Sequence, residues 1–240
     1  MRQVVVTGGG TGIGRAVAAA FAQEGNEVII TGRRPEPLAV AAAAIGGSAR
    51  AVPFDAADPE QVQRALSQLP ASVDVLVNAA GGNTDIGAPE PTTLAETAAA
   101  WRANLDSNVM SAVLMTTALR PRLTRGGAVI SFSSIAAHRA GADSYAAAKA
   151  AVEAWNLTLA HELGADQITA NVIAPGFIDD TEFFRGRMTD ERRQTLIAQT
   201  ANGRVGTPED IATTALFLAS PGASHITGQV IHVNGGALSR

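Results

Sequence analysis

The 240-residue chain has no cysteine, a single lysine (Lys149) and a single tyrosine (Tyr145), and only 4% of its residues are aromatic. Without cysteine there are no disulfides, no thiolate nucleophile and no cysteine-ligated metal, a composition at home in a reducing cytoplasm. No apolar run approaches the ~18 residues that a membrane span requires. Met1-Arg2-Gln3 leads into only Val4, Val5 and Val6 before glycine intervenes, too short for the apolar region of a signal peptide. Basic blocks are also missing, and the formal net charge of −4 argues against binding nucleic acid through its phosphates. What is plentiful is apolar: 46% hydrophobic against 17% charged residues gives a chain able to bury a large core.

Short valine- and isoleucine-rich runs alternate with helical patterns from end to end. Val4–Val6, Val28–Ile30, Val73–Val77, Ala128–Phe132, Ala170–Ile173 and Val230–Val233 read as strands buried on both faces, and Ala51–Phe54, which contains Pro53, as a weaker one. Between them, Gly14–Gln23, Pro37–Ile45, Pro59–Leu69, Leu94–Leu123, Ser144–Leu163 and Pro208–Ala219 carry helical spacing. Asp58-Pro59 and Thr207-Pro208 supply an N-cap followed by an N1 proline. This alternation predicts parallel strands joined by right-handed crossovers, in one doubly wound α/β domain with no linker or repeat. Gln167 to Arg204 breaks the rhythm, with Pro175-Gly176 after a strand and a charged helical stretch over Arg185–Gln199. An insertion beyond a strand's carboxyl end is where a lid over a site belongs.

Thr7-Gly8-Gly9-Gly10-Thr11-Gly12-Ile13-Gly14 directly follows the first strand and opens the first helix. Glycines there allow a tight turn and a close approach to a pyrophosphate, whose charge then meets the helix amino terminus. Tyr145 and Lys149 stand four apart in a helical segment, so their side chains share one face. Arginine fills the other seventeen basic positions, which marks Lys149 as a place where a compact ammonium is required. A carbonyl that accepts hydride needs a proton, and a free phenol, with its pKa of about 10, gives one up reluctantly near neutrality. A neighbouring ammonium is expected to lower that value by ~1–3 units, making Tyr145 a general acid for reduction and a general base for oxidation.

The glycine spacing is G-x-x-x-G-x-G at Gly8, Gly12 and Gly14. Asn78-Ala79-Ala80-Gly81, Asn108, Ser133-Ser134, Tyr145-x-x-x-Lys149, Pro175-Gly176 and Thr227-Gly228-Gln229…Asn234-Gly235-Gly236 follow in order. This series resembles the short-chain dehydrogenase/reductase family over the whole chain, most of all its 3-oxoacyl-acyl-carrier-protein reductases. The resemblance implies a single Rossmann domain over residues 1–240, a seven-stranded parallel sheet with helices on both faces, and a substrate lid at about 177–204. It implies NADPH-dependent reduction of a ketone, either a 3-oxoacyl thioester or a related carbonyl. A dehydrogenase of free secondary alcohols and a non-catalytic NADP-binding sensor are the alternatives. It further implies a homotetramer built on Leu94–Leu123 and Ser144–Leu163.

The same resemblance distributes the roles. Gly8, Thr11, Gly12, Ile13 and Gly14 would hold the cofactor phosphates, Asp55 the adenine amino group, and Asn78, Ala79 and Gly81 the surroundings of the adenosine ribose. Pro175, Gly176 and Ile178 would bring backbone groups to the nicotinamide carboxamide, with Thr181 assisting. Lys149 would also bind the nicotinamide ribose, and Asn108 would hold a water that links the lysine to solvent. Ser134 would face the substrate carbonyl; its distance to Tyr145 is shorter than is common in the family, which keeps Ser133 as the other candidate. The second strand ends in Thr31-Gly32-Arg33-Arg34, with no acid for a ribose 2′-hydroxyl and two guanidinium groups suited to a 2′-phosphate, so NADP(H) is expected over NAD(H). A carrier-bound and a free ketone stay open, because Glu162, Asp166 and Gln167 put no cation where a carrier protein would dock, whereas Arg120, Arg122 and Arg125 lie on another segment.

Other signals carry less. His138, His161, His225 and His232 lack metal-ligand spacing, so no metal is expected. Ser134, His138 and Asp143 are the residue types of a hydrolase triad but lack the nucleophile-elbow sequence. Asp179, Asp180 and Glu182 read as loop caps, and Arg185, Arg187, Arg192 and Arg193 as a solvated face, with Arg185 or Arg187 the candidates for meeting an anionic substrate.

Overall fold

Val4, Val5 and Val6 alternate in direction along β1 (Gln3–Thr7), and this alternation divides the core in two. Val4 and Val6 join Val28, Ile30, Val75, Val77 and Ile173 in a cluster covered by Phe21, Leu38 and Ile211; Val5 joins Ile29, Leu76 and Val129 under Met115, Leu119 and Leu163. The computed structural model describes residues 1–47 and 49–238. Its strands are β1, β2 (Glu27–Gly32), β3 (Arg50–Pro53), β4 (Val73–Asn78), β5 (Leu123–Phe132), β6 (Thr169–Pro175) and β7 (Val230–Val233). All pair in parallel, in the order β3-β2-β1-β4-β5-β6-β7.

Helices α1 (Gly12–Gln23), α2 (Pro35–Ile45) and α8 (Pro208–Leu218) cover the first face; α3 (Pro59–Ala65), α5 (Ser111–Leu119) and α6 (Asp143–Leu163) cover the second. The chain builds outward from β1 to β3, then returns to lay β4 on the other side of β1. This reversal opens a crevice at the carboxyl ends of β1 and β4, where ligands of such sheets bind. The expected caps form: Asp58 accepts from Glu60 and Gln61 N–H, and Thr207 with Asp210 makes a capping box. Pro53 is accommodated because β3 is an edge strand and the proline is its last residue. Among the described residues no helix is long and apolar enough to cross a membrane.

Two expectations about elements need correction. The long helix over Leu94–Leu123 is broken into α4 (Leu94–Leu105), a π turn (Asp106–Met110), α5 and a 3₁₀ turn (Arg120–Arg122), and Leu123 opens β5 instead of closing a helix. The break is chemical: Ser111 Oγ donates back to the carbonyl of Ser107, Asn108 turns its amide onto the carbonyl of Asn104, and Pro121 disfavours helix at Arg120. In the segment 177–204 the α-helical part is α7 (Asp190–Ala198), shorter than Arg185–Gln199, because Arg185 and Gly186 adopt φ of 50° and 72°.

Candidate active site

The glycine loop leaves β1 at the crevice and is held against the segment after β4. Thr7 Oγ1 accepts from Ala80 N–H at 3.0 Å, and Gly8, at φ 66°, passes so close to Ala79 that a Cβ would fall 2.7 Å from its carbonyl oxygen. A Cβ at Gly14 would fall 2.3 Å from the carbonyl oxygen of Gly8, so the first turn of α1 can seat on the loop only without a side chain. Thr11 occupies the N-cap without capping through its hydroxyl, which leaves first-turn N–H groups of α1 for an anion. Ile13 turns back to pack on the core, and Thr181 closes over the loop, with its Cβ and Cγ2 3.4 Å from where a Gly12 Cβ would be. A dinucleotide pyrophosphate fits this cradle.

Beside it, β2 ends in Gly32, and the exposed Arg33 and Arg34 follow. Arg34 is already engaged: its Nη2 lies 2.6 Å from Glu182 Oε2. Asp55, just past β3, accepts from Ala57 N–H and donates its own N–H to Gln61. Asn78 is buried at the end of β4, where its amide donates to Thr116 and Ser131 and its Oδ1 finds no partner among the described residues. It therefore braces β4 against α5 and β5.

The chemistry-bearing side chains gather at the carboxyl ends of β4 and β5. Tyr145 and Lys149 are each 5% exposed although both are polar. Ser134 stands beside the Tyr145 phenol, close enough to favour its ionised form, and its Oγ accepts from Ala136 N–H. Ser133 turns the other way, toward Glu153 and the carbonyl of Lys149, so the structure brings Ser134 and not Ser133 to the phenol. Lys149 Nζ donates to the carbonyl of Phe132 at 3.0 Å and lies 5.7 Å from the centroid of the Tyr145 ring. Asn108, on the π turn, clamps Gly82 by accepting from its N–H and donating to its carbonyl, both at 2.9 Å. Gly81 lies directly over this group: a Cβ there would fall 2.5 Å from Asn108 Oδ1 and 3.4 Å from Lys149 Nζ.

The electrostatics correct one expectation. Burial pushes the Tyr145 phenol up to about 12, with the neighbouring Ser134 hydroxyl only partly offsetting it, and burial lowers Lys149 to about 8. In the free protein the ammonium does not make the phenol more acidic. It stands over the ring, 5.7 Å from its centroid, and spends a donor on a carbonyl, so loss of water outweighs charge at the phenol oxygen.

Past β6, Gly176 donates to the carbonyl of Val233, and Ile178 is buried beside Gly206. Thr181 caps the 3₁₀ turn Glu182–Phe184. That turn places the Phe183 ring 5.8 Å from the Tyr145 ring and 5.0 Å from Phe184, which in turn stands 5.7 Å from Phe177. The charges of the segment point elsewhere. Arg193 pairs with Asp179 at 2.5 Å, Glu182 with Arg34, and Arg204 with Asp210. Arg185, although exposed, donates to the carbonyl of Ile86, and the exposed Arg187 guanidinium lies beside Gly87. Asp179 and Glu182 are ion-pair partners where loop caps were expected.

Several participants had no local signature. Asn104, fully buried, accepts from Thr84 N–H and donates to Ser144, which donates to Asp85; this chain ties the loop after β4 to the residue beside Tyr145. Phe183 owes its position to the turn that carries it. The π turn has a partial signal in the Ser107, Asn108 and Ser111 cluster inside a helical pattern.

Residues 8–237 match a protein-family model described as enoyl-(acyl carrier protein) reductase. The short-chain reductase protein NovJ of Streptomyces niveus is 37% identical, over 97% of this chain and 92% of that one. The 3-oxoacyl-[acyl-carrier-protein] reductase FabG of Chlamydia trachomatis is 39% identical, over 98% and 96%. Among solved structures, a short chain dehydrogenase from Burkholderia cenocepacia in complex with NADP superposes with a TM-score of 0.88 at 31% identity, covering 98% of this chain and 97% of that one.

Proposed function

The chain belongs to the short-chain dehydrogenase/reductase family of oxidoreductases, and from that premise we propose that it reduces a ketone to a secondary alcohol with NADPH, Tyr145 acting as general acid. The observation that carries this is the buried Tyr145 phenol beside Ser134, with the equally buried Lys149 one helical turn away, next to the glycine cradle. NADPH, when bound, supplies the hydride. The Ser134 hydroxyl donates to the substrate oxygen as negative charge develops on it, and Tyr145 passes its phenolic proton to that oxygen. A phenol held near 12 is fully protonated at neutral pH, which suits the direction of reduction. Lys149, charged below about 8, balances the phenolate left behind, and Asn108 keeps Gly81 and Gly82 pressed over the lysine.

Gly8, Thr11, Gly12, Ile13 and Gly14 would take the pyrophosphate, and Asp55, Asn78, Ala79 and Gly81 would surround the adenosine. Pro175, Gly176, Ile178 and Thr181 would face the nicotinamide. Arg33, and Arg34 once released from Glu182, would hold a 2′-phosphate, which supports NADP(H) over NAD(H). The segment 177–204 serves as the lid. Its aromatic wall of Phe177, Phe183 and Phe184 favours an uncharged apolar ketone. Arg120 is paired with Glu162, and Arg122 donates to the carbonyls of Leu66, Leu69 and Pro70, so these cations are spent within the chain. That favours a free ketone over a carrier-bound one. Exposed Leu94, Trp101 and Met110 on the α4 side and Leu157 on α6 support assembly as a homotetramer.

The test is NADPH oxidation across a panel of free and carrier-linked ketones, for the native protein and Tyr145→Phe. Turnover is expected to fall at least ~100-fold in the variant with NADPH affinity unchanged. Undiminished turnover by Tyr145→Phe, or tight NADPH binding with no turnover of any ketone, overturns the proposal, and the second result favours a sensor.

A further inference from the structure

Tyr145, Lys149 and Glu153 recur at every fourth position of α6, forming one polar row toward the end of β5. The first two belong to the site described above; Glu153 does not. Its side chain is only 12% exposed, and each carboxylate oxygen has its own neighbour. Oε1 lies 2.5 Å from Ser133 Oγ, and Oε2 lies 3.0 Å from Nε2 of His138. The second contact is a close approach without the alignment of a hydrogen bond. Ser133 Oγ is also 3.2 Å from the carbonyl oxygen of Lys149, and the His138 ring stands 5.4 Å from that of His232 on β7.

Ser133 and His138 bracket Ser134. The sheet lets go of this stretch at Ser133, whose N–H donates to the carbonyl of Ile173; beyond it come Ser134 and the 3₁₀ turn Ile135–His138. One carboxylate on the catalytic helix thus grips the stretch immediately before Ser134 and again at its far end. A carboxylate so far from water is costly unless its neighbours compensate it, and here both neighbours belong to that stretch. We propose that Glu153 is a positioning residue for the reduction: by gripping Ser133 and His138 it fixes the Ser134 hydroxyl against the Tyr145 phenol. This rests on Ser134 and Tyr145 being the reacting pair. Displacement of a reacting group by about 1 Å costs on the order of 100-fold in rate, so a partial loosening reads as a smaller loss in kcat.

The test compares Glu153→Ala and Glu153→Gln in the native and Ser134→Ala backgrounds, by single-turnover rate, ketone KM, NADPH affinity and thermal midpoint. In the native background Glu153→Ala is expected to lower the rate about tenfold, equivalent to ~1.4 kcal/mol of barrier, with KM and NADPH affinity within about twofold. Glu153→Gln keeps an acceptor for Ser133 and is expected to lose only about threefold. In the Ser134→Ala background, where no hydroxyl remains to be positioned, either change is expected to cost less than about twofold. An equal loss in both backgrounds overturns the proposal, as does an unchanged rate for Glu153→Ala or a parallel loss of NADPH affinity. Should Glu153→Ala fail to fold, Glu153→Gln in the two backgrounds gives the same comparison. Retained activity in Tyr145→Phe would instead defeat the underlying assignment of the acid, a separate result.

Discussion

The floor of the site and its lid are built in opposite ways. On the floor, Tyr145, Lys149 and Asn108 are at most 5% exposed and hang from the ends of long elements in the sheet and its covering helices. The lid offers the short α7, with no buried residue, and ion pairs such as Arg34–Glu182, whose side chains are 60% and 61% exposed. Exposed pairs contribute only about 0–1 kcal/mol each, so little holds the lid in one place, whereas the floor cannot shift without disturbing the core. Groups that act on every substrate sit where burial fixes them; groups that choose the substrate sit where the chain can move.

This contrast can be broken most severely at the cradle. Gly14→Ala puts a methyl into the carbonyl of Gly8, and NADPH affinity measured by nucleotide fluorescence is expected to drop at least ~100-fold. A loss under about threefold would show the cradle to be more pliable than the floor it belongs to. The second probe is pH. Lys149 is depressed to about 8, so it is charged below that pH and neutral above it, while Tyr145 keeps its proton up to about 12. kcat/KM for reduction is therefore expected to be flat below pH 8 and to fall about tenfold per unit above it. Because the chain has one tyrosine, phenolate absorbance reports Tyr145 alone, and an appearance of phenolate below pH 10 in the free protein would contradict the shift.

Smaller effects are expected toward the rim. Arg33→Asp should lower the preference for NADPH over NADH about tenfold, read from the two Michaelis constants; an unchanged ratio would remove Arg33 from the cofactor site. Phe183→Ala should cut kcat/KM for apolar ketones about fivefold while moving the thermal midpoint by less than ~1 °C, since the ring stands on the lid and not in either core. A large drop in the midpoint would show that the lid shares in the stability of the floor.

The sequence is most informative where geometry is local. The glycine loop announces itself because only glycine tolerates the approaches at Gly8 and Gly14, and Tyr145 and Lys149 because four residues are one helical turn. The sheet is legible for the same reason: alternation in Val4-Val5-Val6 assigns each valine a face before any contact is known. What escapes is tertiary. The break in Leu94–Leu123 depends on side chains turning back onto their own carbonyls against a continuous helical pattern. Glu153 meets Ser133 and His138 only after α6 has docked on the end of β5. The phenol's direction of shift escapes too, because neighbour charge can be read from spacing, while loss of water depends on everything packed around the ring.

The solitary lysine has a practical corollary. Every other basic side chain is a guanidinium, and Lys149 lies inside the site, so no lysine amine stands in open solvent. Acylating labels and amine-coupled supports should therefore find no lysine to attach to on the surface of this fold. Slow acylation of Lys149 itself would count, molecule by molecule, how often the catalytic chamber opens.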